Sequence, residues 1–120
     1  MSTPNILLVG LDPHSVPGVD AALVDKAIAM SHARFVAAGI AYDPCLFPPD
    51  RQVAETAVVA ALAAKPYAVV VIGGGLRKPD DLVEIFEVVI ELIRRHAPNA
   101  KIAFNTNPVT SLDAAQRWLR

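Results

Sequence analysis

An unbroken apolar run from Tyr67 to Ile72 is the feature that most constrains the fold. A strand with one face in water alternates apolar and polar residues, whereas a strand of a parallel sheet is covered on both faces and is apolar throughout. The run at residues 6–9 has the same character. We therefore predict a parallel sheet with helices on both of its faces.

Two further apolar runs and four segments of helical periodicity complete an alternating order of strands and helices. Strands are predicted at residues 6–10, 40–47, 67–72 and 101–105, and helices at residues 16–38, 50–65, 79–97 and from 110 onward. Short connections between alternating strands and helices are typical of a parallel sheet with right-handed crossovers. The predicted fold is one three-layer α/β/α domain over residues 1–120, flavodoxin-like (Rossmann-like), with four strands in the order 2-1-3-4.

Residues with known preferences mark the predicted helix ends. They are Gly39 after the first helix, Asp50 as the N-cap of the second, Pro79 at the first position of the third, and Thr110 with Asp113 as a capping box for the last. The apolar side of the first helix is predicted at Leu23, Val24, Ala27, Ile28, Ser31 and Phe35.

Composition and charge exclude several classes of function. The chain has 120 residues and a formal net charge of −1 without a charge run, so a nucleic-acid partner is not expected. No apolar run approaches the roughly 18 residues of a membrane span, and the start lacks the basic stretch of a signal peptide. With Cys45 as the one cysteine and three scattered histidines, neither a disulfide nor a metal site is expected. We predict a cytoplasmic protein.

Polar side chains are concentrated on the loops that follow the strands. In an open α/β sheet, ligands bind at the carboxyl ends of the strands, where the strand order reverses. We predict a crevice there, lined by Asp12, His14, Ser15, Gly73, Gly74, Gly75, Arg77, Asn105 and Asn107.

The glycine run, residues 73–75, allows close approach of a ligand to the backbone. With Arg77 and a helix start behind it, the glycine run has the features of a cradle for a small anion. The alternative is a flexible turn between strand and helix. Asp80 and Asp81 favour that alternative, because carboxylates already occupy the first turn of the predicted helix.

Asp12, His14 and Ser15 are the residue types of a hydrolytic triad. Such close neighbours in one loop seldom converge on one reacting atom, so simpler roles stay open. Ser15 then caps a helix, His14 faces solvent and Asp12 belongs to a turn.

Three other polar or reactive residues also have two interpretations. Asn105 and Asn107 either orient a ligand by hydrogen bonds or cap the turn that follows them. Cys45 is either a nucleophile or a buried, inert thiol, and the lack of a basic neighbour favours the thiol.

The predicted third helix is apolar over more of its surface than a sheet covers. Five of its charged residues share an arc of roughly 100°: Glu84, Glu87, Glu91, Arg94 and Arg95. The remaining apolar surface needs a neighbouring helix or a second subunit. We predict a homodimer that uses the third helix, the fourth helix or the edge strand.

The stretch at residues 61–107 resembles the receiver domains of two-component systems. It has a helix ending in Lys-Pro-Tyr, a valine-rich strand, a loop with Pro79 and a strand that ends in Thr106. The resemblance implies a flavodoxin-like regulatory module that acts through self-association. Ile72 and Gly73 stand where a receiver has its phospho-accepting aspartate, so phosphorylation of the usual kind is not implied.

The stretch at residues 69–108 resembles part of the SGNH (GDSL) hydrolases. It has a glycine-rich loop after the third strand and a long helix that ends in Arg-His-Ala-Pro-Asn-Ala. The resemblance implies an esterase with its nucleophile at or near Ser15. The Gly-Asp-Ser, Gly-x-Asn-Asp and Asp-x-x-His motifs of that family are missing from the sequence.

Three hypotheses of function follow. The first is a small binding or regulatory module with a small, anionic ligand in the crevice. The second is a small hydrolase or phosphate-handling enzyme, with His14 as general base and the amides of the glycine run as oxyanion donors. The third is a subunit of a larger complex. No cofactor is indicated by the sequence.

Overall fold

The computed structural model of the protein describes residues 5–119. The strands are β1 (Asn5–Leu11), β2 (Ala41–Phe47), β3 (Val69–Ile72) and β4 (Lys101–Phe104). The helices are α1 (Ala21–Ala38), α2 (Arg51–Ala64), α3 (Gly74–Arg77), α4 (Val83–His96) and α5 (Ser111–Gln116). Short 3-10 helices lie at Pro13–Ser15, Asp80–Leu82 and Pro108–Thr110.

The four strands form one parallel sheet in the order β2-β1-β3-β4. Strand β1 pairs with β2 from Asn5 opposite Ala41 to Leu11 opposite Phe47, and its other edge pairs with β3. The predicted α/β fold with its four-stranded parallel sheet and its strand order is therefore confirmed. None of the helices within residues 5–119 has the length and apolarity that crossing a membrane requires.

One face of the sheet, here called the α2/α4 face, is tightly covered. Sheet residues and helix residues form a continuous core there: Leu7, Val9, Cys45, Phe47, Val70 and Ile72 from the strands, Ala54, Val58 and Leu62 from α2, and Ile85, Val89 and Ile93 from α4. Helix α2 also packs on α4, so part of the wide apolar surface of α4 is covered within the chain.

The opposite face, here called the α1/α5 face, has a smaller core. It joins Ile6, Val69, Val71 and Ala103 of the sheet to Phe35 of α1 and to Leu112, Ala114 and Ala115 of α5. Although α1 has 18 residues, it buries only Ser31 and Phe35. The predicted apolar side of α1 is therefore in place but is not packed against the sheet along its length.

Two of the predicted helix ends are confirmed. The carboxylate of Asp50 accepts a hydrogen bond from the backbone N–H of Val53 at 3.0 Å, which caps α2. Gly39 ends α1 in the left-handed conformation with φ at +69°, which glycine adopts without strain.

The predicted start of the first helix at Val16 is wrong. Gly18, with φ at +79°, interrupts the chain between Val16 and the first turn of α1. Asp20, and not Ser15, caps α1 by accepting from the N–H of Leu23 at 3.1 Å.

The predicted start of the third helix at Pro79 is also wrong, whereas the last helix, α5, begins at Ser111 with Thr110 as its N-cap residue, as predicted. Gly74 opens the short helix α3 where a loop was expected, and α3 ends just before Pro79, which lacks an N–H. Helix α4 then begins at Val83. The capping box lies one turn earlier than predicted, because it pairs Asn107 with Thr110 on the 3-10 helix.

Candidate functional site

A cavity of about 500 Å³ lies between α1 and the sheet. One wall is the inward side of α1, formed by Leu23, Val24, Ala27, Ile28 and Ser31. The other wall belongs to the α1/α5 face of the sheet, formed by Leu8, Gly10, Tyr42, Pro44, Leu46 and Val71. The carboxyl-end loops close one side with residues 73–75, Asn105, Asn107 and Ser111.

The cavity exists because only the C-terminal half of α1 is packed against the sheet and hydrogen-bonded to α5 and to the 3-10 helix before it. The guanidinium of Arg34 donates two hydrogen bonds to the carboxylate of Asp113 on α5, at 2.7 and 2.9 Å, and a third to the carbonyl of Val109 at 2.6 Å. Phe35 is fully buried, and its ring lies 4.6 Å from that of Tyr42. No residue in the first turns of α1 is buried, and the space between these turns and the sheet is the cavity.

The first turns of α1 are fastened to the loop after β1 instead. The ring nitrogen Nε2 of His14 lies 2.7 Å from the carboxylate of Asp25 on α1. Both side chains are largely exposed, so the contact spans the outside of the cavity. Helix α1 therefore bridges the cavity between two polar attachments.

The lining of the cavity is apolar and uncharged. Among the described residues that line it, no aspartate, glutamate, lysine, arginine or histidine occurs. The polar side chains in the lining are those of Ser31, Tyr42, Asn105, Asn107 and Ser111. Such a wall favours an apolar ligand with few hydrogen-bonding groups.

Most of these polar side chains already have partners within the chain. Asn105 accepts from the N–H of Gly74 at 2.9 Å and donates to the hydroxyl of Ser111 at 3.0 Å. The hydroxyl of Tyr42 bonds Nδ1 of His32, and burial raises the pKa of Tyr42 above its ordinary value.

Asn107 accepts from the N–H of Val109 at 2.9 Å and so caps the turn that follows it. Capping was one of the two interpretations of this side chain. The hydroxyl of Ser31, by contrast, is buried and has no hydrogen-bond partner in the part of the chain that the structure describes.

Of the six predicted ligand residues, five line the cavity and one, Arg77, does not. Gly73, Gly74, Gly75, Asn105 and Asn107 line the cavity together.

Arg77 does not line the cavity. Its guanidinium donates to the carbonyl of Asn105 at 3.0 Å and lies 5.6 Å from the centre of the Phe104 ring. The N–H of Gly74 is also occupied, so the structure places neither the cation nor this amide where an anion in the cavity would meet them.

Asp12, His14 and Ser15 lie outside the cavity, although Pro13 between them lines it. The carboxylate of Asp12 accepts from the N–H of His14 at 3.0 Å and from the hydroxyl of Ser15 at 3.1 Å. Within residues 5–119 no hydrogen bond joins the His14 ring to the Ser15 hydroxyl, because that ring bonds Asp25. The three residues form a capped turn.

Cys45 is buried on the α2/α4 face, away from the cavity. Burial raises the pKa of its thiol above the ordinary value, which disfavours the thiolate needed for nucleophilic chemistry. Of the two interpretations of Cys45, its burial favours the inert thiol.

From the sequence, the main walls of the cavity are predicted as the apolar side of the first helix and as strands, and not as a ligand site. Leu23, Ile28 and Leu46 have the pattern of ordinary core residues, and nothing local separates them from residues that pack fully. Ser31 is the one available signal, since a serine on the apolar side of a helix is out of place in a packed core.

Comparison with known proteins assigns no family. Neither the protein-family models nor the curated proteins match this chain.

Proposed function

We propose that this chain is a small-molecule-binding module whose ligand occupies the cavity between α1 and the sheet. The observation that carries the proposal is the cavity of about 500 Å³ with its uncharged, apolar lining. Sites for small ligands in proteins have volumes of roughly 300–1,000 Å³ and apolar walls with a few polar groups. An apolar ligand here would remove its own surface and that of both walls from water.

The mouth of the cavity supports the same proposal. Val19, Leu23 and Leu46 line the cavity, yet they are 41%, 64% and 42% exposed. Exposed apolar side chains around a concave opening are typical of a ligand-binding groove. A ligand that reaches the opening would cover them.

The proposed ligand is small, as predicted from the sequence, but it is apolar and not anionic. An anion finds little support, because Arg77 bonds Asn105 outside the cavity and the N–H of Gly74 is occupied. The hydrolase alternative also has less support, since His14 bonds Asp25 and Ser15 bonds Asp12. A regulatory role of the receiver kind stays a prediction from the resemblance.

A homodimer and a cytoplasmic location remain part of the proposal. Strand β4 is an edge of the sheet, and its Phe104 is 39% exposed. Val83 at the start of α4 is 54% exposed and supplies further apolar surface for a second copy. Cys45 is a free, buried thiol, which accords with a reducing compartment.

Filling the cavity tests the proposed function. Ala27 lines the cavity, whereas Ala29 on the same helix is exposed, so Ala27→Phe and Ala29→Phe form a matched pair. We expect the apolar dye Nile red to bind the wild-type protein saturably, with a rise in fluorescence. Ala27→Phe should weaken this binding by about tenfold or more, because the added ring occupies space that the dye needs. A tenfold change corresponds to the free energy of about one well-packed apolar contact.

Ala29→Phe changes the helix propensity equally but leaves the cavity open, so its dye affinity should equal that of the wild type. Absence of saturable binding to the wild type, or equal weakening by both substitutions, would contradict a ligand site beneath α1.

A further inference from the structure

One buried hydroxyl distinguishes the inner part of the cavity. Ser31 is 3% exposed, and its Oγ has no hydrogen-bond partner among residues 5–119. It is the last residue of α1 that lines the cavity, and one turn further on Phe35 is fully buried. A buried polar atom without a partner carries a desolvation penalty, and most such atoms in proteins have a partner.

The helix itself does not satisfy this hydroxyl. A serine or threonine in a helix often donates to the carbonyl four residues earlier. Thr56 in α2 does so, with its hydroxyl 3.1 Å from the carbonyl of Gln52. Ser31 makes no such bond, to its own helix or to any other residue that the structure describes.

Among the described residues of the lining, Ser31 is the one whose buried polar side chain has no partner within the chain and is free to bond a ligand. The buried amide of Asn105 is occupied by Gly74 and Ser111, and the hydroxyl of Tyr42 by His32. Asn107 is exposed and caps a turn.

The chemistry of the lining restricts the group that meets Ser31. A hydroxyl both donates and accepts, so it pairs with a hydroxyl or a carbonyl oxygen. A charged group would lose its hydration without gaining an opposite charge, because the described lining is uncharged.

We propose that the cavity takes neutral, largely hydrocarbon molecules with one hydroxyl or carbonyl group, and that this group hydrogen-bonds the hydroxyl of Ser31. This inference rests on the proposed function and names the class of ligand. The polar group lies at the inner end beside Ser31, and the hydrocarbon body extends between Leu23 and Leu46 toward the opening.

A ligand series on one ring body tests the inference. Naphthalene, beta-naphthol and beta-naphthoate differ in one substituent, which is respectively absent, neutral or ionised at neutral pH. Their dissociation constants are measured by calorimetry on the wild type, Ser31→Ala and Ser31→Thr. Displacement of Nile red shows that each compound occupies the same cavity.

We expect the affinity ratio of beta-naphthol to naphthalene to fall by about three- to tenfold in Ser31→Ala, the contribution of one net hydrogen bond. Ser31→Thr keeps the hydroxyl and should keep the wild-type ratio. Beta-naphthoate should bind the wild type more weakly than either neutral compound.

The outcomes separate the inference from the function on which it rests. An unchanged ratio in Ser31→Ala, or naphthoate that binds as tightly as naphthol, would overturn the inference and leave apolar ligand binding intact. Failure of all three compounds and of Nile red to bind the wild type would overturn both.

Discussion

The two faces of one sheet carry similar apolar side chains but are covered to different degrees. On the α2/α4 face, α4 has 14 residues and buries Ile85, Val89 and Ile93 against the sheet. On the α1/α5 face, α1 has 18 residues and buries Ser31 and Phe35. A longer helix thus covers less of the sheet, and the cavity is the space that it leaves.

The difference arises from how each helix is attached. Helices α2 and α4 adhere through continuous apolar contacts with each other and with the strands. Helix α1 packs on the sheet through Phe35, while its first turns are held by the polar attachment at Asp25, which does not draw them onto the sheet. An apolar side held open in this way is suited to binding a ligand.

The largest expected effect is on the free energy of unfolding, when one isoleucine on each face of the sheet is truncated to alanine. Ile93→Ala removes a side chain that is 1% exposed in the α2/α4 core, and should lower the free energy of unfolding by about 2–5 kcal/mol. Ile28→Ala removes a half-buried side chain that already borders the cavity, and should cost about 1 kcal/mol, because it opens no new void in a packed core.

Urea unfolding of both variants measures this difference. Equal losses of stability at the two positions would mean that α1 packs as closely as α4, and the comparison between the faces would fail.

A smaller effect is expected from the attachment of α1 to α5. The hydrogen bonds from Arg34 lower the pKa of the Asp113 carboxyl below its ordinary value. The ionised carboxylate therefore stabilises the fold above the ordinary carboxyl pKa, and this contribution is lost as the pH falls through the lowered pKa. Because the pair is partly exposed, the contribution is small.

The variant Asp113→Asn isolates that contribution. Its free energy of unfolding should be below that of the wild type at neutral pH, and the gap should narrow as the pH falls below the ordinary carboxyl range. Glu87→Gln, which removes a carboxylate from the exposed side of α4, is the matched control and should leave the free energy of unfolding at neutral pH near the wild-type value. A gap of constant size at Asp113 would contradict the role of its charge.

The fold could be predicted because its signals are local. Apolar runs such as the one ending at Ile72 identify the strands, and residues such as Asp50 and Gly39 mark helix ends through their own backbone preferences. The strand order then follows from the general rule on crossovers.

The side of the cavity at the carboxyl ends of the strands could be predicted from the strand order. The space beneath α1 could not, because it depends on contacts between distant parts of the chain. Arg34 meets Asp113 and Val109, and Gly74 meets Asn105, and each of these pairs joins separate segments. They determine how far α1 stands from the sheet and how the glycine run folds. Helical spacing places Leu23 on the inward side of α1 but does not say whether that side reaches the sheet.

The most direct test locates a bound ligand on one of the two faces. Amide chemical shifts, measured by nitrogen–proton correlation NMR, are compared with and without saturating beta-naphthol. We expect the largest changes at residues 23–31 of α1 and at Gly10 and Leu46 across the cavity, with α4 nearly unchanged. Changes centred on α2 and α4, or no saturable change at any residue, would contradict a ligand site between α1 and the sheet.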